Sequence, residues 1–222
     1  MAMVLWLAPV AKADSGEETQ AWAAMSARAD MLDRKRGPTL WVDVQTRHGV
    51  QHTRSLIRPG VAWRFNARSS VWLGYFVMPT FTAGQPARYE HRTWEDLQLT
   101  LPSAHWKLAL RNRVEQRYFE GSHDMAWRLR ERVKVAWRPA ATLPLSLIVS
   151  DEVFVHFNDV ERHVARGFDQ NRLFVGIGWT ASDEVGLEAG YLHQHLDRTP
   201  DRDAHVIFAS LAFRHRPPPP AR

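Results

Sequence analysis

Two stretches of the chain place a cation at nearly every second residue. In 105–119 the alternate positions are Lys107, Ala109, Arg111, Arg113, Glu115, Arg117 and Phe119; in 124–138 they are Arg128, Arg130, Arg132, Lys134, Ala136 and Arg138. Glu90, Asp96, Glu152, Arg172 and Glu188 stand ready to join them from other segments. Guanidinium groups at such spacing can do two things. They can hold a phosphate or carboxylate through forked, charge-assisted hydrogen bonds, in an anion-attracting pore or pocket. They can also pair with carboxylates in a packed polar interior, because unpaired buried charge is costly. The residue types leave both open.

Catalytic constellations are thin. Ser150, Glu152 and His156 share one face of 144–157. Ser150 and His156, however, are six residues apart, about 20 Å along a strand, too far for a nucleophile and its base. His193 and His195 lie on 184–195 without a recognisable partner motif. Asp169-Gln170-Asn171-Arg172 with Asp159 and Glu161 is rich in oxygen but lacks the spacing of a calcium loop, and reads as a loop rim. No phosphate-cradling glycine loop, zinc motif or nucleotide fingerprint is present. The absence of Cys excludes thiolate metal sites, Cys nucleophiles and disulfides. The expectation is a non-enzymatic protein with no metal and no cofactor.

The elements that position these residues follow a period of two from Thr39 onward. Candidate strands are 39–47, 54–65, 70–79, 88–101, 105–119, 124–138, 144–157, 169–180, 184–195 and 203–214, with 20–30 as a candidate extra. Short turns at 66–69, 102–104, 139–143 and 181–183 alternate with longer or more polar links. That asymmetry suits an outer-membrane barrel, although a soluble meander could share it.

Polarity separates the two. Opposite the cations lie Trp106, Leu108, Leu110, Asn112, Val114, Gln116 and Tyr118 in one strand, and Trp127, Leu129, Glu131, Val133, Val135 and Trp137 in the next, mostly apolar faces. A membrane barrel turns that apolar face to lipid and the charges to its lumen. The aromatics Trp106, Tyr118, Trp127, Trp137, Trp179 and Phe213 then belong at the lipid interfaces. In the strand ending at Phe213, Ile207, Ala209 and Leu211 alternate toward it, resembling an assembly signal. Glu95 and Glu131 fall on the lipid side, a misfit that a β-bulge would repair by exchanging the faces. The fold class expected is all-β: one antiparallel up-and-down transmembrane barrel of about 10–12 strands with a polar, basic lumen. Strand parity favours an even number with both termini at one end.

Composition agrees with a single domain. The chain has 222 residues, 24% charged and 45% hydrophobic, with ten Trp and a net charge of +5. That surplus permits an anionic partner and gives no case for nucleic acid. No run of about 20 apolar residues exists to make a membrane helix. Val4 to Val10 followed by Ala11-Lys12-Ala13 resembles the end of a secretory signal peptide. The expected organisation is a signal remnant at 1–13, a periplasmic or lumenal segment at 14–38, the barrel at 39–214 and a Pro-rich tail at 215–222.

Several motifs in order carry a resemblance. They are Trp72-Leu73-Gly74-Tyr75, Tyr89-Glu90-His91-Arg92-Thr93-Trp94, the run Arg111 to Arg117, Asp151-Glu152-Val153-Phe154, Gly167 to Arg172, and Leu187 to Leu192. Together they resemble the bacterial family known as domain of unknown function 2490, over about residues 40–213. The resemblance implies an outer-membrane barrel fold and an envelope location, and no activity. The resulting expectation is a Gram-negative outer-membrane protein, structural or a narrow channel that binds a solute or small anionic ligand. Its partners would be outer-membrane lipids, lipopolysaccharide and the barrel-assembly machinery. A lipid-modifying hydrolase and a soluble secreted ligand-binding barrel are the alternatives.

Overall fold

The computed structural model describes residues 16–31, 37–140, 142–161 and 163–215. Every named element among them is a β-strand: β1 (Glu17–Asp30), β2 (Gly37–His48), β3 (His52–Arg64), β4 (Ser69–Thr82), β5 (Arg88–Pro102), β6 (Trp106–Phe119), β7 (Met125–Trp137), β8 (Leu145–His156), β9 (Gly167–Thr180), β10 (Val185–Leu196) and β11 (Arg202–His215). No helix of the described residues is long and apolar enough to cross a membrane. Each strand pairs with its successor in antiparallel register, and β1 pairs with β11 in parallel, closing an 11-stranded barrel. Closure leaves no strand edge with unpaired amides and carbonyls.

The parallel seam corrects the parity expectation. Glu17 stands opposite Asp203 and Ala29 opposite His215, so the chain enters and leaves the barrel at opposite ends. A twelfth strand is unnecessary, because a parallel ladder satisfies both edges as an antiparallel one would. The barrel also begins at Glu17, inside the segment 14–38 set ahead of it. That strand is rich in Ala, a good helix former, yet Gln20, Trp22 and Asp30 are buried at its even positions. Pairing on both sides overrides its local propensity. The signal-like segment 1–13 and the tail from 216 onward lie outside the described residues.

The polarity runs inside out. Val42, Val44, Ile57, Val61, Leu73, Leu97, Val133, Leu147, Val149, Val175, Ile177 and Ile207 are exposed on the outer surface. Aromatics frame this band at both ends. Trp63, Phe65, Trp106, Trp137, Trp179 and Phe213 lie at the end where β3, β7, β9 and β11 finish. Phe81, Tyr89, Tyr118, Trp127, Phe157 and Phe168 lie at the other. Trp106 and Trp137 face each other in register with ring centroids 5.9 Å apart. The arrangement is compatible with a membrane-spanning barrel.

The interior is more mixed than a polar, basic lumen. Leu56, Ala62, Trp72, Phe76, Met78 and Trp94 form one buried cluster, against which Trp41 packs edge-on to both Trp72 and Trp94. Trp22, Ile148, Phe174, Leu192, Ala204 and Val206 form a second. Several tryptophans therefore line the inside, and apolar packing holds the walls on either side of the charged sector.

Candidate functional site: the charged lumen

The charged sector is built by alternation on five consecutive strands. β5 turns Glu90, Arg92, Trp94 and Asp96 inward; β6 adds Arg111, Arg113, Glu115 and Arg117; β7 adds Arg128, Arg130, Arg132 and Lys134; β8 adds Glu152 and His156. On β9 the alternation is broken by one extra residue. Val155 pairs with Phe168 and Phe154 with Gln170, leaving Asp169 unpaired in the ladder. This β-bulge turns Asp169 inward beside Gln170, where both are buried. The loop-rim expectation for Asp169 is thereby corrected: it is 2% exposed and belongs to the lumen.

Glu115, 1% exposed, is the hub. Its Oε2 accepts from Arg128 Nη2 at 2.5 Å and from Arg92 Nη1 at 3.4 Å, while Oε1 accepts from Arg130 Nη1 at 2.5 Å. Arg113 Nη1 lies 3.8 Å from Oε1. The hub extends outward through its arginines. Arg130 Nη2 donates to Glu152 at 2.8 Å, and Arg111 also donates to Glu152. Arg128 Nη1 reaches past β8 to Asp169 at 2.8 Å. Arg198, in the β10–β11 loop, caps the other Asp169 oxygen at 2.9 Å. Glu90 joins Arg92 at 2.7 Å to Arg117 at 2.6 Å. Such shared carboxylates satisfy buried guanidiniums that would otherwise be strongly destabilising.

Toward the opposite end the network loosens. Lys134 donates to both oxygens of Glu188 at 2.6 and 2.7 Å, across to β10. Lys107 is exposed at the rim, and Arg138 lies beyond the end of β7 instead of on its inner face. The opposite wall holds separate pairs, such as Arg58 with Asp43 at 2.5 Å.

Four inward arginines stand outside this pairing. Arg47, Arg54, Arg132 and Arg172 have no carboxylate partner among the described residues. Arg47 and Arg54 are directly opposite each other on β2 and β3. Arg47 stacks 4.0 Å over Trp22, and Arg172 approaches the same ring at 5.0 Å. The Nε atoms of Arg132 and Arg172 are enclosed without a hydrogen-bond partner.

The catalytic candidates do not converge. His156 Nε2 lies 2.7 Å from Arg117 Nη1, and Glu152 is taken by Arg111 and Arg130, so neither serves Ser150. His193 and His195 face outward toward Asp203 at 3.2 and 3.0 Å. Among the described residues no group of His, Cys, Asp and Glu is arranged to hold a metal ion.

The family model described as "Protein of unknown function (DUF2490)" matches residues 19–205. The chain belongs to that family. The match begins inside β1 and ends near the start of β11, so the whole charged sector falls within it while most of β11 lies beyond it. An uncharacterized protein of Methylorubrum extorquens is 28% identical over 159 residues, 69% of this chain and 70% of that relative. No solved structure matches the chain.

Three of the principal participants, Arg47, Arg54 and Asp169, carry no alternation signal in the sequence, and a fourth, Arg92, does. Arg92 shares the face of Glu90 and Asp96 and could have been read from that parity. Arg47 and Arg54 lie in strands without a conspicuous charge repeat. Asp169 enters only through a bulge, which side-chain alternation cannot reveal.

Proposed function

We propose that this chain is an outer-membrane β-barrel whose enclosed basic lumen binds small anions. The observation that carries the reading is the inversion of polarity. Arg113, Glu115, Arg128 and Arg130 are 5% exposed or less inside the closed sheet, while Leu73, Leu97, Val175 and Ile177 are more than half exposed outside it. A soluble barrel with that outer band would present a continuous apolar surface to water, far larger than the patches soluble monomers carry. Aromatic rims at both ends and an alternating last strand closing on Phe213 support insertion among outer-membrane lipids and lipopolysaccharide by the barrel-assembly machinery.

Anion binding is supported by inward arginines that make no direct salt bridge to a carboxylate among the described residues. Arg47 stands opposite Arg54, and Arg47 and Arg172 share the Trp22 ring, a cationic cluster between the ion-pair hub and the end of the barrel where β2 finishes. A phosphate or carboxylate there would relieve the repulsion among them. The test has two arms. Membranes of an expressing Gram-negative host are extracted with alkaline carbonate, and the chain is expected to stay in the pellet and run with heat-modifiable mobility. The purified barrel is then melted in phosphate and in chloride at matched ionic strength. Phosphate is expected to raise the midpoint in the wild type and to lose that effect in Arg172→Gln. Release by carbonate overturns the membrane reading; equal midpoints overturn the anion site.

A further inference from the structure

The outer face of β5–β9 carries polar side chains where the rest of the band is apolar. Glu95, Glu131 and Asp151 lie near the middles of β5, β7 and β8 and point away from the lumen. No bulge turns them inward, so the repair expected for Glu95 and Glu131 does not occur. Each is instead held by an amide from a neighbouring strand. Asn112 Nδ2 donates to Glu131 at 2.6 Å, Gln116 Nε2 to Glu95 at 3.0 Å and Asn171 Nδ2 to Asp151 at 2.8 Å. None of the three carboxylates has a cationic partner among the described residues.

Lipid is a poor neighbour for such a belt. A charged side chain at mid-depth on the lipid face costs up to a few kcal/mol, and here three fall on one sector of the wall. A protein surface that supplies hydrogen bonds would remove that cost. The order of the groups indicates which surface. Outward at mid-height, β6, β7 and β8 present an amide (Asn112), an acid (Glu131) and an acid (Asp151). A two-fold axis parallel to the barrel, passing outside β7, sets β6 of one copy against β8 of the other. Asn112 of each copy then faces Asp151 of its mate. Its amide has a second N–H available, the first being used within its own chain on Glu131. The same contact is made twice, as a two-fold interface requires. Both Glu131 side chains flank the axis, each held by its own Asn112. Val114, Leu129, Val133 and Val149 around them supply apolar packing.

We propose that the outer face of β6–β8 is the interface of a homodimer within the membrane, specified by Asn112 of one copy and Asp151 of the other. The proposal rests on the membrane reading above. The test exploits the absence of Cys in the chain. Val133→Cys places a thiol on the outer face of β7 beside the axis; Val44→Cys places one on β2, on the opposite wall. Each variant is treated in outer-membrane vesicles with a short bismaleimide, after heat-modifiable mobility has shown that it is folded. Val133→Cys is expected to give a covalent dimer of twice the chain mass, and Val44→Cys none. Adding Asp151→Leu to Val133→Cys removes the contact from both halves of the interface and should cut the dimer yield at least about tenfold. A folded Val133→Cys that stays monomeric, cross-links no better than Val44→Cys, or links to a protein of another mass overturns the second-copy interface. An Asp151→Leu that leaves the yield unchanged overturns the role of the belt. Carbonate extraction of the same vesicles separates the two claims: a chain retained but monomeric sinks the dimer alone, and a chain released sinks the membrane reading.

Discussion

The guanidinium of Arg113 sits 3.9 Å from the centre of the Trp94 ring, with Arg113 Nη2 donating to Asp96 at 2.8 Å. The indole in turn packs against two paired glycines, Gly60 on β3 and Gly74 on β4. A methyl group at Gly74 would overlap the Trp94 ring and come within 2.6 Å of the Pro59 carbonyl. Gly74→Ala is therefore expected to push Trp94 away and loosen Arg113 above it, at a cost of about 1–3 kcal/mol typical of overpacking. The measurement is the temperature at which the detergent-solubilised barrel loses its heat-modifiable mobility. A midpoint equal to wild type would show that Trp94 is not seated on Gly74.

Glu115 is the residue whose loss should be felt most. Replacing it by Gln keeps the size and removes the charge on which Arg92, Arg113, Arg128 and Arg130 converge. Breaking a buried pair from one side costs about 3–5 kcal/mol, because the partner is left charged and unmatched. Arg113→Leu and Arg130→Leu should fall in the same range. A double change of Glu115 and Arg130 to Met should recover part of the loss, since an apolar pair leaves no orphaned charge on that contact. Non-recovery in the double variant would mean that the remaining arginines, not Arg130, depend on Glu115.

The faces of β6 and β7 were legible because their alternation is uninterrupted and the two faces differ sharply in chemistry. Arg111, Arg113, Glu115 and Arg117 fall inward, and Trp106, Tyr118 and Trp127 fall outward, by parity alone. The closure was not legible. Whether β11 meets a strand in parallel or antiparallel sense depends on a contact between Glu17 and Asp203, nearly the whole chain apart. β1 was obscured because its outward residues are mostly Ala, which signals helix locally and serves here as a slim outer face. Asp169 was misplaced because one extra backbone residue reverses the phase, and nothing in Gly167-Phe168-Asp169-Gln170 announces it. The interior tryptophans Trp22, Trp72 and Trp94 escaped notice because in this chain tryptophan serves both the rims and the core.

Lys134 and Glu188 provide an internal contrast. Their hydrogen bonds, at 2.6 and 2.7 Å, are as short as those of the hub. Their side chains nevertheless keep 23% and 35% of their exposure, so water screens the pair. Lys134→Met is expected to lower stability by no more than about 1 kcal/mol, several-fold less than Glu115→Gln. The same gel assay compares them directly. Equal losses would show that the lumen around Lys134 is as dry as the hub.

The hub also makes a prediction about transport. Arg92, Arg113, Arg128 and Arg130 meet one carboxylate, and through Glu152 and Asp169 the contacts join β5 to β9 across the interior. Trp41 and Trp72 pack edge-on in the adjoining cluster, where Trp94 of β5 meets Trp41. An ion crossing the barrel would have to break several short charge-assisted hydrogen bonds at once, each stronger in a poorly hydrated lumen than in water. In planar bilayers the wild-type barrel is thus expected to hold a flat baseline without long-lived open steps. Regular, anion-selective steps in the wild type would show that the ion pairs exchange partners fast enough to pass a solute. The lumen would then be a conduit lined by Arg47, Arg54 and Arg172 and not a packed interior.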